Sequence, residues 1–152
     1  MKAKKLKNIR LRTANDEDLP FIFSSWLKSY RSSHFAKKIT NTIYFGDHHK
    51  VIEHLLKSSI IMISCNEEDP SQIYGYAVGS QVDGIFVLHF IYVKHTFRNM
   101  GIGSMLLDSY GFDKENASLY THHTDVAERL SAKYNFVYHP YLMFSGESDA
   151  KK

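Results

Sequence analysis

The sequence predicts a mixed α/β fold: a central, mostly antiparallel sheet of six to seven strands flanked by about four helices. Three observations carry that prediction. Apolar periodicity orders the elements β, α, α, β, β, β, α, β, α, β, β. The strand Ile85 to Val93 is apolar on both faces, which marks it as central, with helices packed above and below. It then runs through a basic, glycine-marked turn, "KHTFRNMGIGS", into a helix.

The first element, "NIRLRTA", alternates apolar and polar residues as a half-buried strand does, and in "NDEDLP" either Asn15 or Asp16 can cap a helix with an acidic first turn from about Glu17. Apolar residues at mixed three and four spacing give two helices, or one broken helix, over residues 17–57. "SIIMISC" and "SQIYGYAVGSQ" read as antiparallel strands joined by the polar "NEEDPS", and a tight turn at Asp83 and Gly84 leads into the central strand. On that strand strict alternation groups Ile85, Val87, His89, Ile91 and Val93 on one face, and Phe86, Leu88, Phe90 and Tyr92 on the other. Beyond it "GSMLLDSYGF" is helical and "ASLYTHH" is a strand. "TDVAERLSAKY" is a helix opened by Thr124, and "FVYHPYLMF" supplies one or two last strands.

One domain is expected over residues 1–152, with 1–6 and 146–152 as fraying tails, because no repeat or Pro/Gly-rich linker divides the chain and 43% of it is hydrophobic. The basic start lacks the apolar block of about 7 to 15 residues that an export signal requires. The apolar run from Ile85 to Val93 is far short of the roughly 20 residues of a membrane span. A single cysteine, Cys65, excludes an intrachain disulfide and a four-cysteine zinc site, so a cytoplasmic protein without membrane contact is expected. A net charge of +3, spread along the chain, suits a bound anion better than a nucleic-acid surface.

The glycine-marked turn is where such an anion would sit. A strand, a loop and a helix N-terminus in succession aim several backbone N–H groups and the positive end of the helix dipole at one place. Gly101 and Gly103 allow close backbone approach there, and Arg98 adds a cation able to fork onto phosphate oxygens. The dinucleotide fingerprint fails because Leu106 stands where its third glycine belongs. The P-loop fails because Gly103 is followed by Ser104 and Met105 rather than by lysine and a hydroxyl residue.

Arg98-x-x-Gly101-x-Gly103 after a buried strand, in this order of elements, resembles the signature of the GCN5-related N-acetyltransferase (GNAT) family, and "AERLSAKYNF" resembles its late helix and exit. The resemblance implies acetyl-coenzyme A as cosubstrate. Its pyrophosphate would lie on the amides of Asn99, Met100, Gly101, Ile102, Gly103 and Ser104. The pantetheine would pair with backbone of Ile91, Tyr92 and Val93, and Thr124 takes the place of the family's asparagine at the start of the late helix. It implies direct transfer, in a ternary complex, to a primary amine of a small molecule or of a protein lysine or N-terminus, and it is compatible with a homodimer.

Such a transfer needs a neutral amine, and an alkylamine of pKa about 10.4 is mostly protonated at pH 7, so a histidine is a natural base. "LHFIYVKHTFR" is similar to the corresponding string of the arylalkylamine acetyltransferases, which implies His89 as that base; their second histidine is Val87 here. The alternative is a buried His89 satisfied by a neighbour. The family's general acid is a tyrosine four residues after an alanine, and counting from Ala127 that position is Ser131. Ser131, a water, Tyr134, or an unaided thiolate of pKa about 8.5 remain as alternatives. An acyl-coenzyme A sensor without turnover is the second reading, supported by Ser131.

Trp26 and Tyr30, one helical turn apart, either line an aromatic pocket for the acceptor amine or pack in the core. His48, His49, Glu53 and His54 invite a metal reading, but no third convergent ligand joins His49 and Glu53, and His122 and His123 are adjacent on a strand and point apart. No metal is expected.

Overall fold

The computed structural model describes residues 8–32, 41–98, 100–112, 115, 117–122, 129 and 133–139. Its six strands form one sheet in sequence order: β1 (Ile9–Thr13), β2 (Ile60–Asn66), β3 (Ile73–Val82), β4 (Ile85–Val93), β5 (Ser118–Tyr120) and β6 (Phe136–Tyr138). The first four pair antiparallel, and β4, β5 and β6 run parallel to one another. The helices are α1 (Leu19–Ser32), α2 (Asn41–Ser58) and α3 (Ile102–Asp108). The two-helix reading of residues 17–57 therefore holds, whereas the expected late helix from Thr124 and any strand beyond His139 lie largely outside the described residues. Among the described residues no helix is long and apolar enough to cross a membrane.

Local chemistry accounts for the boundaries. Asn15 caps a short 3₁₀ turn, Asp16–Asp18, that delivers the chain into α1. Its side chain accepts from the Glu17 N–H, while the Asp18 carboxylate accepts from the Asn15 N–H. The same carboxylate takes both terminal nitrogens of Arg12, at 2.6 and 2.9 Å, tying the turn to β1 and drawing the Asp18 pKa below its usual value. At the β3–β4 hairpin Asp83 (φ 52°) and Gly84 (φ 79°) are both left-handed, the two-residue turn whose twist matches the flanking strands.

The sheet carries an apolar layer on each face. On one, Ile102, Leu106 and Leu107 of α3 pack on Tyr74, Ala77, Leu88, Ile91 and Val93. On the other, Ile22 and Trp26 of α1 and Ile52 and Leu55 of α2 pack on Ile63, Tyr76, Val78 and Phe90. Spacings of four on α1 and three on α2 put each pair on one helical face.

Strands β3 and β4 approach so closely that Gly75 is obligatory: a Cβ there would lie 2.6 Å from the Tyr92 carbonyl oxygen. Because the obstacle is backbone, Gly75→Ala is expected to cost about 1–3 kcal/mol, measured by urea denaturation. An unchanged midpoint would show that the strands can separate freely.

Candidate active site

The site begins with an irregularity in β4. Val78 of β3 pairs with Phe90, but its neighbour Gly79 pairs with Leu88, so His89 is an extra residue, a β-bulge. The bulge reverses the alternation beyond it. Phe86 and Leu88 lie in the α3-side core together with Ile91 and Val93, while Phe90 lies in the α1/α2-side core. This corrects the strict alternation read from the sequence, which separated Phe86 and Leu88 from Ile91 and Val93; one inserted residue changes the phase of everything after it.

The second feature is a gap. Strand β5 pairs with β4 only at Val87 and Leu88, with a further bond from Thr121 N–H to Leu88 O at 3.1 Å, whereas β4 continues to Val93. Lys94 N–H donates to Tyr74 O at 2.9 Å, so alternation along the ladder turns the backbone of Tyr92 and Phe90 toward β3. The N–H and C=O groups of Ile91 and Val93 therefore face the side that β5 has left.

The gap leads to the head of α3. Gly101 is its N-cap, with φ 80° and ψ 8°, a conformation that favours glycine. Gly103 has ordinary dihedrals and little steric reason to be glycine: a Cβ there would meet only Ile91 Cδ1, at 3.8 Å. At Gly101 a Cβ would meet nothing within 4 Å among the described residues, so this glycine borders open space. Arg98 is exposed, and its Nε donates to Val93 O at 3.0 Å, fastening a cation between the end of β4 and the head of α3. Lys133 Nζ donates to Ser104 Oγ at 3.0 Å, placing a second cation beside the first turn of the helix.

The family model for the acetyltransferase (GNAT) family matches residues 19–128, most of the chain. The chain belongs to the GNAT acetyltransferase family. No curated protein matches it. Among solved structures, a proposed acetyl transferase from Pyrococcus furiosus is similar at 21% identity over 92% of this chain and 91% of that one, with a TM-score of 0.53. The PaiA N-acetyltransferase from Thermoplasma acidophilum, in complex with coenzyme A, is similar at 15% identity over 69% and 70%, with a TM-score of 0.50. A GNAT-family acetyltransferase from Staphylococcus aureus Mu50 matches at 23% identity and TM-score 0.47 over 66% of this chain, which spans 62% of that protein's length. The mixed sheet with helices on both faces is thus the GNAT fold.

Within the GNAT frame the sequence-predicted residues fall into two groups. Ile91 and Val93 lie at the end of β4, Arg98 follows it, and Gly101, Ile102, Gly103 and Ser104 form the head of α3, with Met100 in the loop before it. The backbone of Tyr92 is committed to β3, while Asn99, Thr124 and Ser131 lie outside the described residues.

The other group is differently placed. His89 is 3% exposed and both ring nitrogens are engaged, Nε2 with Ser80 Oγ at 2.9 Å and Nδ1 with Thr121 Oγ1 at 3.0 Å. Burial, aided by nearby His54, pushes its pKa down to about 4. This is the geometry of the satisfied, buried histidine. Tyr134 packs against Phe112 and Phe136, with Lys133 Nζ 5.4 Å over its ring, and Phe136 in turn meets Phe86 at the opposite end of β4 from the gap. Trp26 is completely buried and stacked on Phe90 at 4.9 Å, which makes it core rather than pocket lining. Tyr30 is only part-buried and stacks on His48 at 4.8 Å.

Sequence reasoning missed a cluster. His48 Nε2 and His122 Nε2 lie 3.0 Å apart, and His122 Nδ1 lies 3.1 Å from Thr121 Oγ1, the hydroxyl that His89 also engages. Burial lowers the His48 pKa to about 4 and drives that of His122 well below its ordinary value, with His48 and His89 adding to the effect. The two residues stand 74 positions apart, and no local signal joins them. His49 and Glu53, considered as metal ligands, form an exposed pair at 2.7 Å one helical turn apart, and among the described residues no three ligand side chains converge.

Proposed function

We propose that this chain is an acetyl-coenzyme A-dependent N-acetyltransferase that passes the acyl group directly to a primary amine in a ternary complex. The observation that carries the proposal is the succession of the β4 bulge, the outward backbone of Ile91 and Val93, and the glycine-marked head of α3, with Arg98 Nε donating to Val93 O. Among the described residues nothing lies within 4 Å of a Cβ at Gly101 and only Ile91 Cδ1, at 3.8 Å, within that distance at Gly103, which fits a ligand held by backbone amides. Acetyl-coenzyme A would supply the activated thioester.

The chain's own residues then have distinct tasks. Ile91 and Val93 offer strand-like hydrogen bonds to an amide-bearing arm. The amides at the head of α3, Arg98 and Lys133 offer positive charge to a pyrophosphate. The bulge turns backbone N–H groups out of the ladder, where positioned donors stabilise an oxyanion. Protonation of the departing thiolate falls to Ser131 or a water. His89 holds the bulge between β3 and the chain leaving β5, and acts through its hydrogen bonds. The acceptor is a primary amine of a small molecule or a protein.

A thermal-shift comparison of acetyl-coenzyme A, NAD and ATP, followed by thiol release across an amine panel, tests this. A ligand at 100 times its dissociation constant adds about 2.7 kcal/mol of stability. Stabilisation by acetyl-coenzyme A together with amine-dependent thiol release is the expected result. Stabilisation without thiol release from any amine would favour the acyl-coenzyme A sensor, and stabilisation by NAD or ATP alone would overturn the assignment.

A further inference from the structure

We propose that His89 is a positioning residue: with Ser80 and Thr121 it forms a side-chain brace across three strands that fixes where β5 leaves β4, and with it the edge of β4 offered to the cofactor. The use of that edge rests on the acetyltransferase reading; the brace itself rests on distances. His89 Nε2 meets Ser80 Oγ of β3 at 2.9 Å, and His89 Nδ1 meets Thr121 Oγ1, one residue past the end of β5, at 3.0 Å.

The backbone alone holds β5 to β4 weakly. Val87 pairs with Leu119 and Leu88 with Tyr120, and among the described residues the ladder then ends with the bond from Thr121 N–H to Leu88 O. Strand ends held by so few bonds open at low free energy. The next rung would join Thr121 to His89, the surplus residue of the bulge. There the side chains take over the fastening, at the point where the gap begins.

Imidazole suits this task. It is a rigid ring with its two polar nitrogens on different edges, so it can bridge partners on either side, whereas an amide or a carboxylate gathers its polar atoms at one end. In the neutral ring one nitrogen donates and the other accepts, and each hydroxyl partner can do either, so the brace closes in both tautomers. No charge has to enter a position that is 3% exposed, in keeping with the lowered pKa. Thr121 Oγ1 is also held by His122 Nδ1 at 3.1 Å, which anchors the far end of the brace. Both nitrogens of His89 are thus committed to neighbouring strands, the opposite of what a general base needs.

The test compares three variants of the full chain. Thr121→Val keeps the shape of the side chain and removes the hydroxyl, Thr121→Ser keeps the hydroxyl, and His89→Gln reaches one partner only. Amide hydrogen exchange at position 121, taken relative to its intrinsic rate, reports the exit of β5, and calorimetric titration with acetyl-coenzyme A reports the edge of β4. Thr121→Val should speed that exchange and weaken acetyl-coenzyme A binding by about 10-fold each, the size of one lost hydrogen bond, and Thr121→Ser should restore both. His89→Gln should weaken binding to a similar degree, while kcat at saturating acetyl-coenzyme A falls by less than about 10-fold, since loss of a general base costs about 100-fold or more. The Thr121 pair decides the matter alone where His89→Gln does not fold. Unchanged exchange in Thr121→Val would overturn the brace. Faster exchange at unchanged affinity would overturn its positioning role, and a greater loss of kcat in His89→Gln would make His89 a base. Failure of the unmodified protein to bind acetyl-coenzyme A would count against the acetyltransferase reading, and the exchange result would still decide the brace.

Discussion

Acidification from pH 7 to pH 5 is expected to destabilise the protein by about 2 kcal/mol for each of His48 and His89, with His122 acting in the same direction, a large part of a typical stability of about 5–15 kcal/mol. The sign follows from where protons bind. Unfolded histidine takes up a proton below its ordinary pKa of 6.5, whereas His48 and His89 in the fold do so only near pH 4, and His122 is likewise lowered. Between those limits the unfolded chain binds more protons, so stability is full above pH 6.5 and declines as pH falls toward 4. The Asp18 carboxylate, held by Arg12, works in a separate window: its contribution is full above its ordinary pKa of 3.8 and fades only below it. Urea denaturation midpoints at pH 7.5, 6, 5 and 4.5 separate the two. A flat profile from pH 7 to 5 would show that these rings are not held neutral.

Gly103→Glu is expected to raise the dissociation constant for acetyl-coenzyme A by more than about 100-fold, equivalent to about 2.7 kcal/mol, with no loss of stability. A helix gains about 1 kcal/mol when glycine is replaced by a better helix former, and a carboxylate in the first turn complements the dipole. The structure has room, since a Cβ would meet only Ile91 Cδ1 at 3.8 Å. The same carboxylate would repel a pyrophosphate from the helix head and compete for Lys133, which already bonds Ser104. Calorimetric binding beside a denaturation curve gives both readings. Equal affinity would place the cofactor elsewhere, and a large loss of stability would mean that glycine serves packing.

Much of this architecture was legible because the signals are local. The Asp83–Gly84 turn, the Asn15 cap and the Arg98 to Gly103 loop each announce themselves within a few residues. The side-chain faces of β4 were not legible beyond Leu88. Alternation is a counting argument, and nothing near His89 marks it as the residue to be left out of the count. Trp26 illustrates a different limit: helical spacing put it on one face with Ile22, but only the packed structure shows that face meeting Phe90 rather than a ligand. The partnership of His48 and His122 depends on α2 and the end of β5 meeting across the sheet, a tertiary fact invisible to periodicity.

The bulge at His89 can also be regarded as a dislocation, in the sense used for crystals. On either side the lattice of strand pairs is regular, and a single surplus unit separates two domains of opposite phase. Deleting one residue there would heal the lattice and leave β4 a more regular strand. It would also exchange inner for outer at every position from Phe90 to Val93, turning Ile91 and Val93 away from α3 and Phe90 away from Trp26. The defect is therefore the least dispensable part of the strand, because both hydrophobic layers and the outward backbone edge are registered to it.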